Sequence, residues 1–170
     1  SQENLDRINN LNLPNYTTKS GLMLDWVAEG IYGIKRPVLP FLGTVAGGVY
    51  NESIYDTAIY NENIVITPSG TYETTDDIFK RIITWNFYKG DGYVFNIRWL
   101  KNRVYRFLVQ TNGVPEPIDN TFDVSVTFGL SNAVDITIGS SINTLAPILE
   151  AGINTGALQV PFQYNFNIIY

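Results

Sequence analysis

Residues 122–138 read FDVSVTFGLSNAVDITI, and the fold turns on them. Phe122, Val124, Val126 and Phe128 alternate with Asp123, Ser125 and Thr127. After GLSN, Val134, Ile136 and Ile138 alternate with Asp135 and Thr137. Successive side chains of a strand point to opposite faces, so this period of two predicts a β-hairpin with one wet face. Downstream, INTLAPILEAGI (142–153) suits a helix that Pro147 either kinks or starts. The terminal VPFQYNFNIIY alternates Val160, Phe162, Tyr164, Phe166 and Ile168, which predicts a closing strand. Residues 120–170 therefore form a ββαβ unit, a small sheet with one helix across one face.

Upstream the period lengthens to that of a helix. In TTDDIFKRIITWNFYKG (74–90), Thr74 or Thr75 caps the start and Asp76 and Asp77 occupy the first turn, where the helix dipole favours negative charge. Ile78, Ile82 and Trp85 make an inward stripe, with Gly90 as the stop. GDG then turns the chain into a second helix over 93–108, so that 74–110 is a helical hairpin. Earlier, GLMLDWVAEGIYGI (21–34) follows a Ser20 cap and ends at Gly33 and Pro37. Leu24, Val27, Ala28 and Ile31 form one apolar face, Leu22, Met23 and Trp26 another, and Asp25, Glu29 and Tyr32 the polar stripe. A helix apolar on most sides is expected to be buried. Leu5, Ile8 and Leu11 before Pro14 suggest an amphipathic arm, which makes 1–36 an arm plus a buried helix.

Residues 37–73 carry no helical period and read as an irregular Tyr-, Gly- and Pro-rich loop with one short strand at 64–66. Tyr32, Tyr50, Tyr55, Tyr60 and Tyr72 lie in or beside it. Tyrosine buries area yet keeps a polar tip, which suits an interface, although a coiled surface loop accounts for the same residues. The fold class expected is α+β: an N-terminal helix and an αα-hairpin followed by a small ββαβ unit.

Composition narrows the chemistry. The chain has 170 residues, enough for one domain with an arm, and is 45% hydrophobic but only 16% charged. Isolated domains usually carry more charge, so much of this surface is expected to meet other protein. There is no Cys and no His, which excludes disulfides, thiolate chemistry, His-bound zinc and the Ser-His and Cys-His mechanisms. No apolar run reaches the ~18–20 residues of a membrane span, and the start does not resemble a signal peptide. The expected setting is synthesis in a cytoplasm without export.

Charge is unevenly placed. Seven basic residues lie between Lys80 and Arg106 against one acid, Asp91, and beyond Arg106 there are five acids and no base. Within IRWLKNRVYRF (97–107), a helical wheel puts Ile97, Leu100, Val104 and Phe107 on a core stripe and Trp99, Arg103 and Arg106 on the opposite ridge. Such a ridge meets either phosphates or acidic protein surface, such as the Asp25/Glu29 stripe or a partner. Nucleic-acid binders usually carry a basic domain, so protein contact is favoured. The partner-interface candidates are Leu22, Trp26, Tyr32, Tyr50, Tyr55, Tyr60, Trp99, Arg103 and Arg106.

Enzyme motifs are absent. GTVAGG (43–48) lacks the Lys-Ser/Thr and helix of a phosphate loop. Asp76 and Asp77 are explained by helix capping, and Asp25/Glu29 sit on one helix rather than across a cleft. The expectation is a protein with no catalytic role, no cofactor and no metal.

Taken in order, GLMLDWVAEGIYGIKRPVL (21–39), DDIFKRII (76–83) and LAPILEAGINTGALQVPFQY (145–164) resemble the tail protein I family of Mu-like contractile-tailed phages and its relatives. The matching positions of the first motif are Leu24, Asp25, Gly30, Gly33 and Arg36. The resemblance implies a non-enzymatic baseplate wedge component of a virion tail, made in the host cytoplasm. Its partners would be larger J-type wedge subunits and a fibre-attachment protein, with N-terminal helices packing in a shared bundle. Alternatives are a fibre-connecting or tail-completion protein, a nucleic-acid-binding protein using helix 93–108, and carbohydrate binding through exposed Tyr and Trp.

Overall fold

The computed structural model describes residues 15–40, 70–109 and 123–170. Leu5, Ile8 and Leu11, the strand expected at 64–66, and Tyr50, Tyr55 and Tyr60 lie outside the described residues. Within them the fold is α+β.

Helix α1 runs Gly21–Val27 and widens into a π-helical turn over Ala28–Tyr32, where Gly33 at φ 68° closes it in the left-handed region that glycine tolerates. Ser20 makes no side-chain cap. The Gly21 N–H donates instead to Asp76 Oδ2 at 2.9 Å, from the first turn of another helix. Strands β1 (Val38–Pro40) and β2 (Thr71–Glu73) pair antiparallel, Val38 opposite Glu73 and Pro40 opposite Thr71. The two ends of the expected irregular loop are thus strands, because Leu39 and Tyr72 are apolar enough to be buried between polar or exposed neighbours.

Helix α2 (Asp76–Phe87) starts on Thr75, whose Oγ1 accepts from Ile78 N. It ends at Phe87, before Gly90, when Tyr88 adopts an extended conformation. Helix α3 spans Ile97–Val109, later than the expected start at Tyr93. Asn96 explains the difference: its Oδ1 accepts from Trp99 N at 2.9 Å and its carbonyl from Leu100 N, so it caps the helix.

Strands β3 (Val124–Phe128) and β4 (Ala133–Ile138) form the expected hairpin, with Val124 opposite Ile138 and Phe128 opposite Val134. Helix α4 (Ala146–Asn154) carries Pro147 in its first turn, where a missing N–H costs nothing. Strand β5 is confined to Asn165–Ile169 and pairs in parallel with β4, giving the order β3-β4-β5. Residues 160–164, expected in that strand, precede it outside any strand, with a turn at 162–163.

One core joins the two halves. Val124, Val126, Val134, Ile136, Ile138 and Ile168 from the sheet pack with Leu100, Val104 and Phe107 of α3 and Leu149 and Ile153 of α4. Two helices therefore cover the inner face rather than one. A smaller cluster of Leu24, Ala28, Phe79 and Ile83 fastens α1 to α2.

Candidate interaction surface

Arg36 is what locks α1 in place. Its Nε donates to Asp25 Oδ1 at 2.8 Å, Nη1 to Thr74 O at 2.8 Å and Nη2 to Asp76 Oδ1 at 2.6 Å, while its plane lies over Phe79. Burial works against the Asp76 carboxylate, but the Gly21 N–H and Arg36 outweigh it and hold the carboxyl below its ordinary pKa. Glu29 pairs with Lys35 on the surface. The Asp25/Glu29 stripe is therefore occupied within its own segment and does not face the basic helix.

With α1 oriented this way, Leu24, Val27 and Ala28 go inward and the second apolar face goes out. Leu22 is 83% exposed and Trp26 79%, with Met23 and Ile31 each about half exposed beside them. The helix expected to be buried is half buried, since the described chain supplies a neighbour on one side only. Tyr32 turns inward, edge-on to Tyr16 at 5.4 Å and tilted against Phe87 at 5.1 Å, so it is a packing residue here.

The expected basic ridge also turns inward. Arg103 and Arg106 are each 5% exposed. Arg106 Nη1 and Nη2 meet Asp91 Oδ2 and Oδ1 at 2.5 and 2.9 Å, while Arg103 donates to Tyr88 O at 2.8 Å. Each guanidinium lies over a ring, with Cζ 4.0 Å from the Trp99 ring centre for Arg103 and 4.4 Å from that of Tyr88 for Arg106. Two cations share one carboxylate, and both Nε atoms are buried without a hydrogen-bond partner. Burial, with Arg106 adding repulsion against the pull of Asp91, lowers the Arg103 pKa. Lys80 donates to Thr17 O, and Arg81 binds Asp77 and Phe107 O. Of the seven bases between Lys80 and Arg106, only Lys89 and Arg98 are exposed and Lys101 is partly so. That leaves little outward positive charge on the α2–α3 hairpin.

A second apolar region lies where the sheet begins. Phe95 packs against Trp99, Phe128, Tyr164 and Phe166 with ring centres 5.1–6.3 Å apart. Leu130 of the β3–β4 turn, Tyr93 and Val94 are highly exposed. Beside Tyr164 and Phe166 runs a groove of about 610 Å³, lined by residues between Ile153 and Phe166.

Among the described residues no helix is long and apolar enough to cross a membrane, and no group of His, Cys, Asp and Glu could hold a metal ion. The fold and its surface define an α+β domain with a bare helix face and buried basic residues. No family model, curated protein or solved structure matches this chain. The exposed face of α1 was legible as apolar from its spacing. The inward turn of Arg103 and Arg106 had one signal in the sequence, the lone Asp91 among seven bases.

Proposed function

We propose that the protein is a non-enzymatic assembly subunit, and that its assembly is the baseplate of a contractile phage tail, where it joins larger wedge subunits. The observation that carries the reading is the outer face of α1. Leu22 and Trp26 stand almost wholly in water on a helix whose other side is locked by Arg36. Covering a large apolar side chain is worth about 1.5–3 kcal/mol, so such a face gains most from a partner. Low charge and the lack of Cys and His agree with a contact role. The baseplate assignment rests on the resemblance of residues 21–39, 76–83 and 145–164 to the tail protein I family.

Two measurements test it. Sedimentation velocity of the full chain should show association, or co-purification with a partner, that a Leu22→Lys/Trp26→Lys variant loses while its thermal melt is unchanged. A dilute-independent monomer would remove the assembly role. Mass spectrometry of purified tails should find the chain in the baseplate fraction, and its absence there would remove the baseplate role alone.

A further inference from the structure

The groove beside β5 has an unusual lining. Among its described residues there is no Lys, Arg, Asp or Glu, but there are three amides (Asn154, Gln159 and Asn165), the Thr155 hydroxyl, whose proton goes to Ala151 O, and three rings, Phe162, Tyr164 and Phe166. Its volume of about 610 Å³ lies within the ~300–1,000 Å³ of small-ligand sites. Phe162 is 98% exposed at its rim.

The backbone beneath is held rigidly. Trp85 Nε1 donates to Gln159 O at 2.9 Å, Asn86 Nδ2 to Ala157 O at 3.0 Å, and Gln159 N donates back to Asn86 Oδ1 at 2.9 Å. Leu158 N donates to Gly152 O at 2.9 Å, closing the end of α4. A site fixed before its ligand arrives loses less entropy on binding. With those main-chain groups already bonded, recognition along 157–159 falls to side chains.

We propose that this groove binds a neutral oligosaccharide. Each amide offers both a donor and an acceptor, matching sugar hydroxyls that do both, and the exposed Phe162 ring accepts the apolar C–H face of a pyranose. Anions are disfavoured by the chain itself, since beyond Arg106 it carries five acids and no base. The site is separate from the α1 face and does not depend on the assembly reading.

The test is saturation-transfer difference NMR on the full chain, free or with its partner, using maltohexaose, cellohexaose and chitohexaose. A neutral proline-rich peptide and inorganic phosphate serve as comparison ligands. At least one saccharide should receive saturation, with a dissociation constant on the order of 1 mM, as open grooves give. Phe162→Ala should weaken it about tenfold, the loss of one aromatic anchor. Gln159→Ala should weaken it too, and circular dichroism should be unchanged because both side chains are exposed. Silence from all three saccharides, an undiminished signal in Phe162→Ala, or a signal from the peptide or phosphate alone would overturn the proposal.

Discussion

Arg106 grips Asp91 with both Nη atoms, and the carboxylate it holds is also the nearest acid to Arg103, 4.0 Å away. The connection between α2 and α3 thus folds an acid back over a helix face that otherwise reads as a surface. Removing Asp91 leaves two buried cations with no counter-charge. Asp91→Ala should cost about 3–5 kcal/mol, read as a fall in the urea midpoint. Arg103→Met should cost about 1 kcal/mol or less, because it removes an excess charge and an orphaned N–H while keeping bulk over Trp99. Arg106→Met strips Asp91 of both its Nη donors and should cost more than Arg103→Met, and the reverse order would contradict this account.

The Asp76 carboxylate makes the packing of α1 sensitive to acid. Its folded pKa lies below the unfolded value of about 3.9. A depressed carboxyl contributes stability that is fully present above the unfolded pKa and is lost as pH falls through the folded one. Melts should therefore be flat in this contribution above about pH 5 and decline below about pH 4. Asp76→Asn should be less stable at pH 7 and show a shallower acid decline, which parallel melts at the two pH values would register.

Asn86, buried on α2, reads the 157–159 backbone from both sides of its amide. Asn86→Ala should lower amide-exchange protection at Gln159 by about one to two orders of magnitude, since the Gln159 N–H loses its acceptor. Asn86→Asp keeps an acceptor for Gln159 N and should preserve most of that protection. Equal loss in both variants would mean that packing, not the hydrogen bond, holds the loop.

Gly152 sits so close to Leu158 that a Cβ there would come within 2.9 Å of its side chain. Leu158 is itself in the core and has little room to yield. Gly152→Ala should destabilise by about 1–3 kcal/mol. Combined with Leu158→Ala, the loss should be smaller than the two single losses added, the sign of a direct clash.

The hairpin over 124–138 was legible because one wet face imposes a strict period of two. The start of α2 was legible because Thr75 and Asp76 carry capping chemistry in their side chains. Helix α3 differs from its sequence reading in two respects, its face and its start. A wheel ranks faces by polarity and is blind to a connection that returns over the polar side, so Arg103 and Arg106 read as outward. Asn96, three residues before Trp99, was the available sign of the later start. Two features depended on partners distant in sequence and left no local trace: the pairing of Val38–Pro40 with Thr71–Glu73, and the cap that Asp76 gives Gly21. At the other end, β5 begins only at Asn165, where backbone pairing with Ala133 becomes available, although the alternation runs back to Val160.

The clasp between Pro40 and Thr71 also fixes where the chain leaves and rejoins its framework. Because β1 and β2 meet at the base, and Thr74 ties to Pro37 O through both its N–H and its hydroxyl, the ends of the 41–69 stretch are joined by the framework itself. The posts on either side of that stretch are therefore set by α1 and α2 rather than by the stretch itself.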